Sequence, residues 1–122
     1  MSVVTSIIIL FPYSEDERDR IAEINAFEFN GRKYDFHWID ENDGPDSPSN
    51  CYSGTKSFNG VVLLASYNNF PEEAFLRFIS SAVKWLDEDA VQILIKSEKH
   101  NDRSFRVYSF AGKTLVSDSL KE

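Results

Sequence analysis

GVVLLASYNNFPEEAFLRFISSAVKWLDEDAVQILIK, residues 60–96, is the stretch whose reading decides the fold. Gly60 opens an apolar run, Val61-Val62-Leu63-Leu64-Ala65, the doubly apolar centre of a strand over residues 58–67. From Pro71 to Leu86 the period changes. At 100° per residue Ala74, Phe75, Phe78, Ile79, Ala82, Val83, Trp85 and Leu86 share one broad face, opposite Glu73, Arg77, Ser80, Lys84 and Asp87. Asn69 is placed to cap this helix with Glu72 as its partner three residues on, and Pro71 suits the first turn. Asp87-Glu88-Asp89 closes it, an acidic run at the unfavourable end of the dipole. Val91, Ile93 and Ile95 then alternate with Gln92, Leu94 and Lys96, a second strand.

Upstream, residues 3–11 are nearly continuous in large apolar and β-branched residues, which predicts a central strand covered on both faces. Ser14 and Glu17 have capping-box spacing, Ile21, Ile24 and Phe27 supply an amphipathic helical face, and Asn30-Gly31 reads as the helix stop. Tyr34, Phe36 and Trp38 alternate with Asp35, His37 and Ile39, a half-buried strand with an aromatic face. Downstream, residues 105–110 and 114–116 read as a hairpin around Ala111-Gly112-Lys113. The order β-α-β, loop, β-α-β, hairpin predicts one α+β domain over residues 1–122. It would be a two-layer sandwich, two helices on one face of a mainly antiparallel sheet, on a ferredoxin-like β-α-β-β-α-β plan with a C-terminal hairpin.

Composition narrows the function classes. The chain of 122 residues is 42% hydrophobic and 14% aromatic, as soluble globular domains are rather than acidic disordered ones. A net charge of −7 disfavours nucleic acid and anionic membrane as partners and suits a basic protein. No apolar run approaches the length of a membrane span, and the first residues lack the basic start of a secretory signal. A single cysteine, Cys51, excludes an internal disulfide framework. If the chain is complete, a cytoplasmic address is expected.

Residues 41–57 form a long acidic loop rich in turn formers, and a loop of this length in a compact domain is either functional or disordered. Asp40, Glu41, Asp43 and Asp46 are clustered, with Trp38 and Tyr52 at the edges. That combination suits an interface, since carboxylates steer and register a basic partner while aromatics supply desolvated anchors. As a calcium loop it fails: Gly44 follows Asp40 and Asn42 with the third ligand missing, and no Glu stands at the required distance. A plainly solvated charge run outweighs any metal site, so no metal and no cofactor are expected. His37 with Asp35 on one strand face, His100 in a turn and Cys51 without a neighbouring base each lack the convergent groups of a catalytic site. Ser53-Gly54-Thr55-Lys56 has neither the spacing nor the following helix of a phosphate loop. Lys56 could still meet an anion together with Tyr67, Asn68 and His37 near the start of the second helix.

Gly54-Thr55-Lys56, Ser66-Tyr67-Asn68 with Phe70, Trp85 before the acidic turn, and Val91-Gln92 resemble a loose group of small uncharacterised bacterial α+β proteins. In that group a Gly-rich Lys turn precedes an apolar strand, and a small-aromatic-Asn step precedes a helix. The chain departs from it at Ser53, where a second Gly is usual, and in its tail beyond Phe110. The resemblance implies an architecture and carries over no catalytic residue. In size, acidity and lack of a site the chain is similar in kind to immunity proteins of bacterial toxin systems.

The expectation is a non-enzymatic cytoplasmic binding protein that neutralises a basic partner, an immunity protein blocking a toxin nuclease. A phage-type anti-defence inhibitor would use the same physics, with acids spaced along one elongated face in mimicry of nucleic acid. A second class is a nucleotide- or anion-binding protein or enzyme with its site near Lys56, Tyr67 and Asn68. A third is a homodimer built through the edge of the terminal hairpin.

Overall fold

Residues 60–96 do form strand, helix and strand, and the other elements pair with or pack on these three. A computed structural model describes residues 3–12, 15–39, 60–112 and 114–117. The first half contains β1 (Val4–Phe11), α1 (Glu17–Ile24), β2 (Glu28–Phe29), β3 (Arg32–Lys33) and β4 (His37–Trp38). The second half contains β5 (Val61–Asn68), α2 (Glu72–Ser81), β6 (Gln92–Ser97), β7 (Arg106–Ala111) and β8 (Thr114–Ser117), with 3-10 turns at Glu88–Ala90 and Glu98–His100. Six strands make one sheet in the order β4-β5-β1-β6-β7-β8, and β2 with β3 makes a separate ribbon. Among the described residues all the strand pairings are antiparallel. The fold is α+β.

β1 is the centre of the sheet. Ile7 lies opposite Ala65 of β5 and Ile95 of β6, and Ile9 opposite Leu63 and Ile93. These side chains project to one face and share a core with Ile24 of α1 and Phe75 and Ile79 of α2. Phe75 is its hub, with the rings of Phe27, Phe36 and Phe70 centred 5.3, 5.2 and 5.1 Å away. Full burial of such side chains contributes about 1.5–3 kcal/mol each.

The expected cover on both faces of β1 is not found. Thr5, Ile7, Ile9 and Phe11 are buried, whereas Ser6, Ile8 and Leu10 between them are only half-buried. The connections give the reason. The crossover from β1 to β4 and that from β5 to β6 run in opposite lateral directions between strands of opposite sense. Right-handed crossovers of that kind lay both helices on the same side.

Local details differ too. Asn30 and Gly31 are not a helix stop. Their φ values of 53° and 78° form the tight turn joining β2 to β3, for which an Asn-Gly pair is the favoured sequence because both positions need positive φ. α1 begins at Glu17 after Asp16, with no side-chain cap bond, so Glu17 is its first residue rather than the third of a box; Ser14 lies outside the described residues. Asn69 likewise caps nothing: it sits at φ 54° and its N–H donates to the Val3 carbonyl, while Pro71 occupies the cap position of α2.

α2 also stops at Ser81 instead of running to Leu86. The hydroxyls of Ser80 and Ser81 both donate to the Arg77 carbonyl, a local bond that competes with the helical ladder. Beyond Ala82 the chain peels away. Val83 still reaches the core, and the Trp85 indole N–H donates to the Ile79 carbonyl while its ring meets Phe11 edge-on at 5.3 Å.

Candidate functional site

The segment beyond α2 is held by carboxylates from the other end of the sequence. Glu15 is 1% exposed and accepts the backbone N–H groups of Leu86 at 2.8 and 3.0 Å and of Asp87 at 2.6 Å. Glu23 accepts the Lys84 N–H at 2.8 Å and the Arg20 guanidinium at 2.7 Å. Arg20 Nε lies 3.5 Å from Glu15, a charge contact without a hydrogen bond. A buried carboxylate needs such partners, since an unpaired one would cost several kcal/mol.

This clamp brings two acidic runs together. Asp16, Glu17 and Asp19 follow directly on Glu15, and Asp87, Glu88 and Asp89 are the other side of the bridge. The cations in and beside these runs are Arg18, Arg20 and Lys84. Asp16 hydrogen-bonds to Asp19 and repels it, which raises the Asp19 carboxyl above its usual range. That shift is the local mark of crowded negative charge.

The same end of the sheet holds the two points between which a further acidic stretch runs. Pro12, Gly60 and Ala90 border one shallow hollow of about 280 Å³ at the ends of β1, β5 and β6. Gly60 immediately follows residues 40–59. On the other side of that stretch, the Ile39 N–H donates to the Val62 carbonyl at 3.0 Å. Residues 39 and 60, from which the stretch departs and returns, therefore both lie beside the clamp.

Of the residues expected at an interface, Asp40, Glu41, Asp43, Asp46 and Tyr52 lie outside the described residues. Trp38 is half-buried on the helix side, opposite Leu63, and its indole N–H is buried without an acceptor among the described residues. Of those expected near an anion, Lys56 lies outside the described residues. Tyr67 and Asn68 point to opposite faces of β5. The Tyr67 ring packs on Tyr34 at 5.0 Å and on Phe70 at 6.0 Å, its hydroxyl donates to the Asp35 carbonyl, and Arg32 covers it. Asn68 is exposed opposite Val4, and His37 is exposed on that same far face opposite Leu64.

The hollow at the start of α2, about 380 Å³, is lined instead by Asn69, Phe70, Glu72, Glu73, Arg77 and Lys99 among others. Its first-turn carboxylates already occupy the positive end of the dipole. Glu72 also pairs with Arg106 at 2.6 Å, and Asp102 holds the same guanidinium at 2.9 Å. Burial alone would pull Arg106 down, but the bonds from Glu72 and Asp102 outweigh it and hold the guanidinium above its ordinary value. Among the described residues no three His, Cys, Asp or Glu side chains are grouped to hold a metal, and no helix is long and apolar enough to cross a membrane.

Sequence reasoning missed Glu15 and Glu23, because the N–H groups they accept are distant in the chain, and Arg20, which pairs with both. Comparison with protein-family models, with curated proteins and with solved structures finds no match.

Proposed function

We propose that this is a small acidic cytoplasmic binding protein that neutralises a basic protein partner, acting as an immunity protein that occludes a toxin nuclease. The observation that carries the reading is the convergence of acidic stretches at one end of the sheet. Asp16–Asp19 and Asp87–Asp89 are clamped together by Glu15, and residues 40–59 leave and rejoin the fold beside them. A surface of one sign draws an oppositely charged partner in rapidly and fixes its register. Occlusion requires no reaction: the carboxylates would pair the Lys and Arg side chains with which a nuclease holds phosphate. Acids gathered at one end favour this over mimicry of an extended nucleic acid. The strand order β4-β5-β1-β6, with a helix in each crossover, supports reading the central elements as a ferredoxin-like plan to which β7 and β8 add an edge hairpin.

The test is co-purification with the product of the adjacent gene, followed by two charge-reversal sets. One replaces Asp16, Asp19, Asp87 and Asp89 by Lys; the other replaces Asp40, Glu41, Asp43 and Asp46. Each set should weaken the complex by more than about 10-fold and flatten its dependence on salt. A complex whose affinity and salt slope survive both sets is not held by these acids.

A further inference from the structure

The face of the sheet turned away from the helices carries side chains that water does not favour. By register, His37, Leu64, Ile8, Leu94 and Val107 form one row across five strands. Val62, Leu10, Gln92, Ser109 and Val116 form the next. Leu64 is 36% exposed, Phe105 36% and Val4 38%, so three of the five most exposed large apolar residues among those described lie on this face. An apolar hollow of about 360 Å³ runs between Ser6, Ile8, Leu64, Ser66 and Phe105.

We infer that this face is a self-association surface, on which a second copy of the chain packs sheet against sheet in a two-fold dimer. Charge selects the occupant. The ionisable side chains that the described strands place on the face are His37 and Lys96, and no strand carboxylate joins them. Glu98 lies at the corner beyond β6, tied to the Val4 N–H at 2.9 Å. A basic protein finds no carboxylate row to pair with there. A chain of net charge −7, by contrast, can meet its own copy there without strand carboxylates facing one another.

Area is consistent with the same occupant. Strand lengths of 2, 8, 8, 6, 6 and 4 residues across the sheet, at about 3.4 Å per residue and about 4.8 Å between strands, give about 550 Å². That is about two-thirds of the ~800 Å² per partner of a standard stable interface, the size of a weaker one. Shape fits as well, because an isologous contact needs knob and hollow on one patch, and Leu64 and Phe105 stand beside the hollow they border. With the two-fold axis running across the strands, the facing sheets lie antiparallel. The acidic ends of the two copies then point in opposite directions, which leaves them open to the basic partner.

The experiment is sedimentation equilibrium of the full chain over a range of concentrations, with single-site variants and the acidic-end reversals alongside. The wild type should be a dimer that dissociates in roughly the micromolar range or below. Leu64→Lys and Ser66→Arg each put an unpaired charge into the contact and should raise the dissociation constant about 100-fold or more. Ser66 is exposed, so Ser66→Arg keeps the test valid even if Leu64→Lys fails to fold, with circular dichroism of the dilute protein as the check. Phe29→Lys, at an equally exposed position on the β2 ribbon, should leave the dimer unchanged. The acidic-end reversals should leave it intact too, so loss of partner binding and loss of self-association are separable. A wild type that is monomeric at every concentration overturns the inference. So does a dimer that survives both face substitutions.

Discussion

Ile7 and Ile8 are neighbours in β1 with identical side chains, and they live on two different surfaces. Ile7 is 1% exposed beneath the helices, whereas Ile8 is only half-buried on the bare face. The difference does not lie in the residues. It lies in the two crossovers, which deposit both helices on one side of a sheet whose strands are apolar on both. Coverage of a strand is thus a property of topology, and the apolar surplus on the bare face is what topology leaves over.

Substitutions on the two faces put that contrast to the test. Ile7→Ala should cost about 4 kcal/mol in urea unfolding, because it opens a cavity in a packed core. Ile8→Ala, measured in dilute protein, should cost about 1 kcal/mol, since less of its surface leaves water. Equal losses would mean that a single chain already covers both faces, and the contrast would collapse. If the loss at Ile8 grows with protein concentration, the contrast sharpens into one between intramolecular and intermolecular cover.

Polar groups on the helix side come next in size. Glu15→Gln should cost about 3 kcal/mol, since it removes the charge that faces buried Arg20 and weakens the acceptor of the Leu86 and Asp87 N–H groups. Arg106→Met should cost about 1–2 kcal/mol by the same assay; the ion pairs it breaks retain some solvent, which screens them.

The smallest effect lies off both faces, at the acidic end. Because Asp16 raises the Asp19 pKa in the folded protein, Asp19 contributes stability in acid, below its ordinary pKa, that is lost as the pH climbs through the raised value. Asp16→Asn should move the Asp19 carboxyl titration downward in a carbon-detected NMR experiment and erase that component. A titration of Asp19 that does not move would remove the crowding at this end of the molecule.

Much of the fold was legible because its signals are local. The continuous apolar runs of β1 and β5, the alternation of β6, the 3.6-residue stripe from Ala74 to Ile79 and the hairpin near Gly112 each announce themselves within a dozen residues. The aromatic alternation of Tyr34, Phe36 and Trp38 was read correctly as a buried face, although only His37 and Trp38 join the ladder. Asn30-Gly31 reads as a helix stop and is a hairpin turn, because its short partners Glu28-Phe29 and Arg32-Lys33 are too polar to announce a strand pair. The sequence carries α2 too far because its apolar stripe continues through Val83 and Trp85, which pack on the core but are no longer helical. At the candidate site the individual acids were visible and their convergence was not. Glu15 reads as a helix-start acid, and nothing near it in sequence points to a backbone more than seventy positions away.

The Glu15 bridge has a further consequence, in the order of events. It closes a loop of 71 to 72 residues, and contacts of that separation carry an entropic cost that α1 and the β7–β8 hairpin do not face. The coil from Lys84 to Asp87 should therefore lock late on the way to the native state and loosen early on the way out. Weakening the bridge should then steepen the loss of kinetic persistence: the unfolding rate rises while the refolding rate stays nearly constant. The end of the molecule that presents its acids together is, on this account, also the end where the chain first comes undone.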